Sequence, residues 1–289
     1  MLEFKIAEST YLNDLKRLFM ESFSASFEET ENFFNNKFKL ENCCICLNNK
    51  ELVSALHLFD TYIFKNGKKY PVCYVYAVST FKKYRNRGYM SRLIEFAHKV
   101  ALKSGAKYLF LSPSSESLYS FYEKLGFKSF FKIREVNFKF NELKKYVSGD
   151  TLICNEMRPN IEKVRNDNCC EDGDIFWNKD HINYAIFENE NCDGITFFEK
   201  NGYAICRPNK GFVDIIEFIC DEYDFERLIF KILKAFKNTE YRFRLKVNSK
   251  HFKSLGKIKN FGMISFTGHF DELGLLKDDN FAYLGLALD

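Results

Sequence analysis

The chain has 289 residues, 46% of them hydrophobic and 28% charged, with only 14 Gly and 4 Pro. That length suits two domains, and that composition excludes a long disordered or collagen-like chain. Its 43 basic and 39 acidic side chains leave a net charge of +4 with both signs interspersed, so no basic tract is dense enough to track a nucleic-acid backbone.

The start, Met1-Leu2-Glu3-Phe4-Lys5, has no charged region followed by an apolar core. No apolar run approaches the roughly 18 residues of a membrane span, which predicts a cytoplasmic protein without a membrane partner. In chain order, residues 4–6 alternate as a strand, and Leu12, Leu15, Leu18 and Phe19 recur at helical spacing. Residues 43–64 are β-rich, with a break at Asn48-Asn49-Lys50, and Lys65-Asn66-Gly67-Lys68 predicts a hairpin turn. Residues 71–79 (PVCYVYAVS) read as a buried strand. A basic loop, Phe81-Lys82-Lys83-Tyr84-Arg85-Asn86-Arg87-Gly88-Tyr89, follows it, and Leu93, Ile94, Ala97, Val100 and Ala101 then mark a helix that Gly105 closes. A short strand at 108–111 leads to Ser112-Pro113-Ser114-Ser115-Glu116, the start of a helix reaching Lys124 and ended by Gly126.

Beyond residue 150 the plan recurs. Residues 184–188, 194–198 and 203–206 read as a meander, 212–219 as a buried strand, Phe225, Leu228, Ile229, Ile232, Leu233 and Phe236 as one helix face, and 241–247 as a strand. The ten cysteines (Cys43, Cys44, Cys46, Cys73, Cys154, Cys169, Cys170, Cys192, Cys206, Cys220) sit mostly in apolar stretches, without zinc spacing. Buried thiols of a reducing compartment are the expectation, with no metal.

A strand that ends in Arg-x-x-Gly and opens into a helix gathers free backbone N–H groups, a positive helix terminus and cationic side chains at one point, which suits a diphosphate. Gly88 permits close backbone approach, and Lys82, Lys83, Arg85 and Arg87 offer charge-assisted contacts.

The segment Val78-Ser79-Thr80-Phe81-Lys82-Lys83-Tyr84-Arg85-Asn86-Arg87-Gly88-Tyr89-Met90 resembles motif A of the GNAT acetyltransferase superfamily. Arg85 and Gly88 match its Gln/Arg-x-x-Gly-x-Gly/Ala core; Met90 departs from the final small residue, as in the Eis-like branch. Leu118-Tyr119-Ser120-Phe121-Tyr122-Glu123-Lys124-Leu125-Gly126-Phe127 is similar to motif B. The resemblance implies a mixed α/β sheet whose fourth and fifth strands splay around the pantetheine of acetyl-CoA, with backbone groups of Val78 and Thr80 on that arm and amides of residues 85–90 on the diphosphate. It assigns the cosubstrate to Val78, Ser79, Thr80, Lys83, Tyr84, Arg85, Asn86, Arg87, Gly88, Tyr89 and Met90, with Ser114 and Ser115 at the next helix start. Tyr122 becomes the general acid of an N-acetyltransferase acting by direct attack of a primary amine of a small molecule or peptide. The alternative is a non-catalytic acyl-CoA-binding or sensing module.

The family often places its general base on the fourth strand as a glutamate, where Tyr74 stands here, so the base stays open among Asp289, His57, Asp60 and water. In the second copy Cys220-Asp221-Glu222-Tyr223-Asp224 joins strand to helix without Arg-x-x-Gly, and Phe252 stands where Tyr122 does. The expected organisation is therefore tandem GNAT folds, residues 1–148 holding the cosubstrate and 149–289 a GNAT-like copy without the loop that helps shape the acceptor pocket. Aromatics such as Trp177, Phe197, Phe198 and Tyr203, and acidic residues Glu28, Glu29 and Glu31 within substrate loops at 23–38, are candidates for that pocket, although such aromatics more often belong to the core and such a run of carboxylates more often to an exposed helix face.

Overall fold

Turn chemistry organises the first strands. In the computed structural model, which describes residues 1–149, 158–237, 239–277 and 281–288, β1 (Leu2–Ile6) pairs antiparallel with β2 (Cys43–Asn48). Asn49 and Lys50, at φ 50° and 67°, turn β2 into β3 (Glu51–Lys65). Asn66 and Gly67, at φ 50° and 70°, turn β3 into β4 (Lys68–Thr80), the use an Asn-Gly pair is suited to.

Between β1 and β2 lie α1 (Leu12–Phe23) and α2 (Phe27–Asn36). Residues 23–38, expected to be loops, are thus mainly helical. The reason is a capping box: Ser26 Oγ accepts from the Glu29 N–H at 3.1 Å, and the Glu29 carboxylate accepts from the Ser26 N–H at 2.6 Å. α3 (Tyr89–Lys103) ends at Gly105 (φ 85°), and β5 (Tyr108–Leu111), α4 (Glu116–Glu123), β6 (Lys128–Lys139) and α5 (Phe140–Leu143) follow.

The later elements are α6 (Ile161–Asn168), β7 (Ile175–Phe176), α7 (Lys179–Asn191), β8 (Ile195–Glu199), β9 (Gly202–Asn209), β10 (Phe212–Ile219), α8 (Glu222–Ala235), β11 (Glu240–Leu245) and β12 (Lys257–Phe266). Residues 184–188, read as a strand, belong to α7. Its buried residues His181, Ile182, Tyr184, Ala185, Ile186 and Asn189 spread around the helix, which erases the one-sided periodicity. The Asn178 side chain starts it by accepting from the His181 N–H at 2.9 Å. Among the described residues no helix is long and apolar enough to cross a membrane.

The chain forms two compact units. The first comprises Met1–Ile63, Lys69–Ser129 and Gly262–Leu276. Its sheet runs β1-β2-β3-β4-β5-β12, with β4 and β5 parallel and residues 263–266 of β12 antiparallel to β5. Leu93, Ile94, Ala97 and Ala101 on one face of α3 pack onto Cys44, Cys46, Val53, Leu56, Cys73 and Leu109 of the strands. Each large aliphatic side chain buried this way contributes about 1.5–3 kcal/mol.

The second unit comprises Phe64–Lys68, Phe130–Phe261 and the chain from Lys277 onward. Its strands run β6-β11-β10-β9-β8, β10 parallel to β11 and β6 antiparallel to it. Leu228, Ile229 and Ile232 of α8 pack on Val213, Ile215, Tyr241 and Phe243. A second, polar core centres on Arg165, which is 0% exposed. Its guanidinium meets Glu217 at 3.2 Å and donates to the Ile175 and Leu284 carbonyls at 2.8 and 2.9 Å, so the buried charge is paired and hydrogen-bonded. The strand–helix–strand plan β4-α3-β5 recurs as β10-α8-β11, the repeat read from the sequence.

Candidate cofactor loop and catalytic tyrosine

The register of β4 and β5 stops at Tyr74↔Phe110, yet β4 continues six residues further, to Thr80. At Ala77 the backbone takes φ 50°, an uncommon left-handed conformation for a residue with a Cβ. That kink lies where the two strands part, and it turns the end of β4 away from its neighbour. Past it, Val78 packs against the α3 core, Ser79 Oγ donates to the Ala55 carbonyl at 3.2 Å, and the Thr80 and Ser54 hydroxyls share a hydrogen bond of 2.8 Å.

The basic loop is a single 3-10 turn at 82–84 followed by two left-handed residues, Asn86 (φ 61°) and Gly88 (φ 74°). Gly88 is the N-cap of α3 and no side chain caps the helix. Among the described residues the backbone N–H groups of Asn86, Arg87 and Gly88 have no hydrogen-bond partner. Together with the unfilled first turn of α3 they form a cluster of donors at the positive end of a 15-residue helix. A Cβ on Gly88 would meet nothing within 4 Å, so glycine is favoured there by its φ rather than by crowding.

The cations are not equivalent. Lys83 Nζ and the Tyr84 hydroxyl both donate to Glu51, at 2.5 Å each, and the Glu51 carboxyl is held below its usual range by the Lys83 and Tyr84 hydrogen bonds. Arg85 Nε donates back to the Thr80 carbonyl at 3.1 Å, and the Lys82 N–H donates to Glu21 at 2.5 Å, which ties the loop to α1. Arg87 lies over the Tyr84 ring, 5.7 Å from its centroid. Tyr89 and Met90 begin α3 and pack against the core edge. Ser114 is exposed, and Ser115, at the N-cap of α4, shares its hydroxyl with Ser117 at 3.0 Å rather than capping the helix. The start of α4 is therefore also open.

Tyr122 sits on α4 with its ring in the same apolar cluster as Leu93 and Val75, against Phe121 and Phe127 at 5.1 and 5.7 Å. Burial pushes its phenol up to about 12, and among the described residues no hydrogen bond engages the hydroxyl. It is thus a proton donor throughout the neutral range and not a base. Tyr74, in the position of the family's glutamate, is buried and stacks on Phe110 at 5.2 Å. Asp60 accepts the Cys73 thiol hydrogen at 3.3 Å. His57 is buried among aromatic rings, which pushes its pKa down to about 3. Asp289 lies outside the described residues.

In the second unit α8 starts differently: Asp221 Oδ1 accepts from the Tyr223 and Asp224 N–H groups at 3.1 and 2.9 Å. A carboxylate occupies the helix end that α3 leaves open, and it would repel a diphosphate. Phe252 is core, 4.6 Å from Phe138 and 5.0 Å from Phe243. Trp177 stacks on His181 at 3.7 Å and Tyr203 donates to Glu217 at 2.5 Å, so neither is a pocket aromatic. The kink at Ala77 and the Glu51 clamp have no sequence signal that a single chain displays.

Residues 3–130 match the family model for the acetyltransferase (GNAT) domain. A search of the curated proteins finds no match. Among solved structures the chain is similar to a GCN5-related N-acetyltransferase from Anabaena variabilis, with TM-score 0.75 at 13% identity over 93% of this chain and 73% of that one. It is also similar to a GCN5-related N-acetyltransferase from Kribbella flavida, with TM-score 0.72 at 15% identity over 91% and 70%. Eis1 from Mycobacterium abscessus gives TM-score 0.67 at 9% identity over 92% and 74%. At such identities the likeness is one of fold, and it carries the GNAT architecture across both units.

Proposed function

We propose that this chain, whose residues 3–130 match the acetyltransferase (GNAT) family model, transfers the acetyl group of acetyl-CoA to a primary amine. The observation that carries the reading is the uncapped, left-handed entry to α3 at the end of a strand that has parted from its neighbour. Free backbone donors suited to a diphosphate stand there, directly after a strand end that β5 no longer pairs.

The residues present fit that ligand. Amides of 86–90 and the side chains of Arg85 and Arg87 would hold the diphosphate, while backbone groups of Val78 and Thr80 beyond the kink would hold the pantetheine arm. Lys83 contributes less, because Glu51 already neutralises it. When bound, acetyl-CoA supplies an acetyl thioester: the amine nitrogen forms the new amide bond, the carbon–sulfur bond breaks, and the departing sulfur takes a proton. Tyr122 provides that proton from a hydroxyl with no other partner, and regains one from the attacking nitrogen through solvent. The second unit, with Asp221 across its helix start, holds no second cosubstrate in this proposal.

Thermal unfolding with and without acetyl-CoA tests the binding half. Ligand at about 100 times its Kd adds about 2.7 kcal/mol, a rise of several degrees. Arg85→Glu should lose that rise. Release of free CoA thiol with a panel of amines tests the chemistry. A thermal rise without thiol release from any amine would support the non-catalytic acyl-CoA-binding module instead, and no rise would refute both.

A further inference from the structure

Two long stretches of the chain carry no carboxylate. One, residues 61–94, contains the cofactor loop, which accounts for it. The other, residues 241–270, holds two arginines and five lysines and has no part in the reaction proposed above. Its first cations are partnered from elsewhere in the second unit: Asp214 accepts from Arg242 and Arg244 at 2.6 Å each, and Asp174 accepts from Lys246 at 2.6 Å. The later ones differ. Lys250, Lys253 and Lys257 are exposed and have no ion pair among the described residues, and Lys259 pairs with Glu135 at 2.7 Å.

The segment that carries these lysines is fixed in place. Arg134 donates to the carbonyls of Ser249, His251, Phe252 and Leu255 at 2.8–2.9 Å. Gly256, at φ 92°, lies so close to β6 that a Cβ would stand 2.3 Å from the Glu135 carbonyl oxygen. Yet Leu255 and Ile258, three residues apart, are left 40% and 50% exposed. Contacts within the unit therefore hold the backbone while leaving both the ammonium groups and two aliphatic side chains in water.

Leu255 and Lys257, together with Lys145 and Tyr146, line a hollow of about 680 Å³, a volume in the range of ligand pockets. It opens to solvent, since Lys145, Leu255 and Lys257 are exposed and Tyr146 is half-buried. Val136 and Phe138 of β6, both buried, complete its apolar lining. The carboxylates that line it are engaged: Glu135 accepts from Lys259, and Glu142 accepts from the Lys139 N–H at 2.8 Å. Lys145, like Lys257, has no ion pair among the described residues, and exposed Lys139, Lys144 and Lys253 stand near them in the chain.

We propose that this hollow docks an acidic segment of another protein, with its carboxylates on Lys145 and Lys257 and an aliphatic side chain against Tyr146 and Leu255. Such docking is independent of the acetyltransferase reading, because none of these residues belongs to the cofactor loop or to α4. Charge complementarity supplies the attraction: an anionic chain meets two lysines that have no other partner, and their fixed backbone lowers the ordering cost of binding. The concave shape and apolar lining favour a peptide over other polyanions. A lipid surface is too flat to enter a hollow. Nucleic acids are held by arginine forks and open aromatic faces, whereas no arginine lines this hollow and Tyr146 already meets Phe138 and Phe252 at 5.7 and 4.9 Å.

The test is fluorescence anisotropy on the full chain at about 50 mM salt, with a labelled peptide that carries three glutamates on each side of a central leucine. Its affinity should fall at least about tenfold at about 500 mM salt, and a peptide with glutamine for every glutamate should not bind. Lys145→Glu with Lys257→Glu should weaken the peptide at least about tenfold. Lys103→Glu with Lys210→Glu, an equal change of net charge at two other exposed lysines, should leave its Kd within about twofold. Leu255→Ser should weaken the leucine peptide about threefold and leave a glycine-centred one unchanged. Equal loss in the two double variants, or no binding at low salt, would overturn the docking site. Equal affinities for the leucine and glycine peptides would overturn the apolar seat. Tighter binding of an oligothymidylate or of phosphatidylserine vesicles, lost in Lys145→Glu with Lys257→Glu, would overturn the peptide as the occupant.

Discussion

Two glycines bracket α3, and they separate what the cofactor loop does from what it costs. Gly88 at its start and Gly105 after its end have φ 74° and 85°, and a Cβ on either would meet nothing within 4 Å. Alanine in the left-handed region costs about 1–2 kcal/mol, and the restricted unfolded chain returns about 0.4–1 of it, so each substitution should remove roughly 1 kcal/mol. That corresponds to about 2–4 °C in a protein of this size. The stability effects should therefore be equal, because neither site adds a clash. Binding should not be equal. Gly88→Ala pushes the backbone away from the conformation that aims the amides of 86–90 outward, and acetyl-CoA should bind about tenfold more weakly. Gly105→Ala, one helix length away, should leave the Kd unchanged. Urea unfolding followed by circular dichroism gives the first quantity and titration calorimetry the second. Equal effects of the two variants on acetyl-CoA, or none from Gly88→Ala, would refute the assignment of the donors to the cosubstrate.

Three further outcomes follow from the same geometry. Arg87→Ala should weaken acetyl-CoA more than Lys83→Ala does, and with a steeper salt dependence, because Glu51 already holds Lys83 at 2.5 Å while Arg87 carries no ion pair among the described residues; Kd measured at two ionic strengths decides it. Tyr122→Phe should lower kcat by about a hundredfold with little change in acetyl-CoA affinity, and equal loss of both would count against an acid role. Because burial raises this phenol from 10.0 to about 12, its contribution to stability is complete below pH 10 and is lost as pH rises through 12. The Phe variant should accordingly lose about 1.4 kcal/mol per pH unit less over that window. Arg134 donates to five carbonyls, of Val247, Ser249, His251, Phe252 and Leu255, within 2.8–3.2 Å. Arg134→Met should cost the second unit roughly 3–5 kcal/mol, read in near-ultraviolet circular dichroism of its aromatics; a loss under about 1 kcal/mol would show that water replaces the guanidinium.

What the sequence displays depends on how local the cause is. The β4–loop–α3–β5–α4 run was legible because each piece carries its own signal: a β-branched run, a glycine that must be left-handed, a 3.6-residue period. Asn66-Gly67 declared its hairpin for the same reason. α2 had a local signal as well, Ser26-x-x-Glu29, but Phe27, Phe33 and Phe34 resemble a loop's binding aromatics as much as a helix face. α7 was misread because a helix buried on several sides shows the same short apolar run as a strand. The site divides in the same way. Gly88 and Tyr122 could be named from their motifs, whereas the kink at Ala77 and the clamp at Glu51 arise from contacts between distant residues. The neighbours of β5 and β11 were hidden for that reason too, since pairing over such separations leaves no periodic trace.

The strand beside β5 comes from residues 263–266, more than half the chain away from residues 108–111. At about 5–20 residues per second of synthesis, the apolar sequence Tyr108-Leu109-Phe110-Leu111 waits on the order of ten to thirty seconds for its partner to leave the ribosome. During that interval the growing first unit shows an unpaired, uncharged edge, the kind of surface that holding chaperones cover and that neighbouring nascent chains can join. Slower growth at low temperature, or a raised chaperone supply, should therefore increase the soluble yield of this protein more than that of a single GNAT domain whose strands follow one another in sequence.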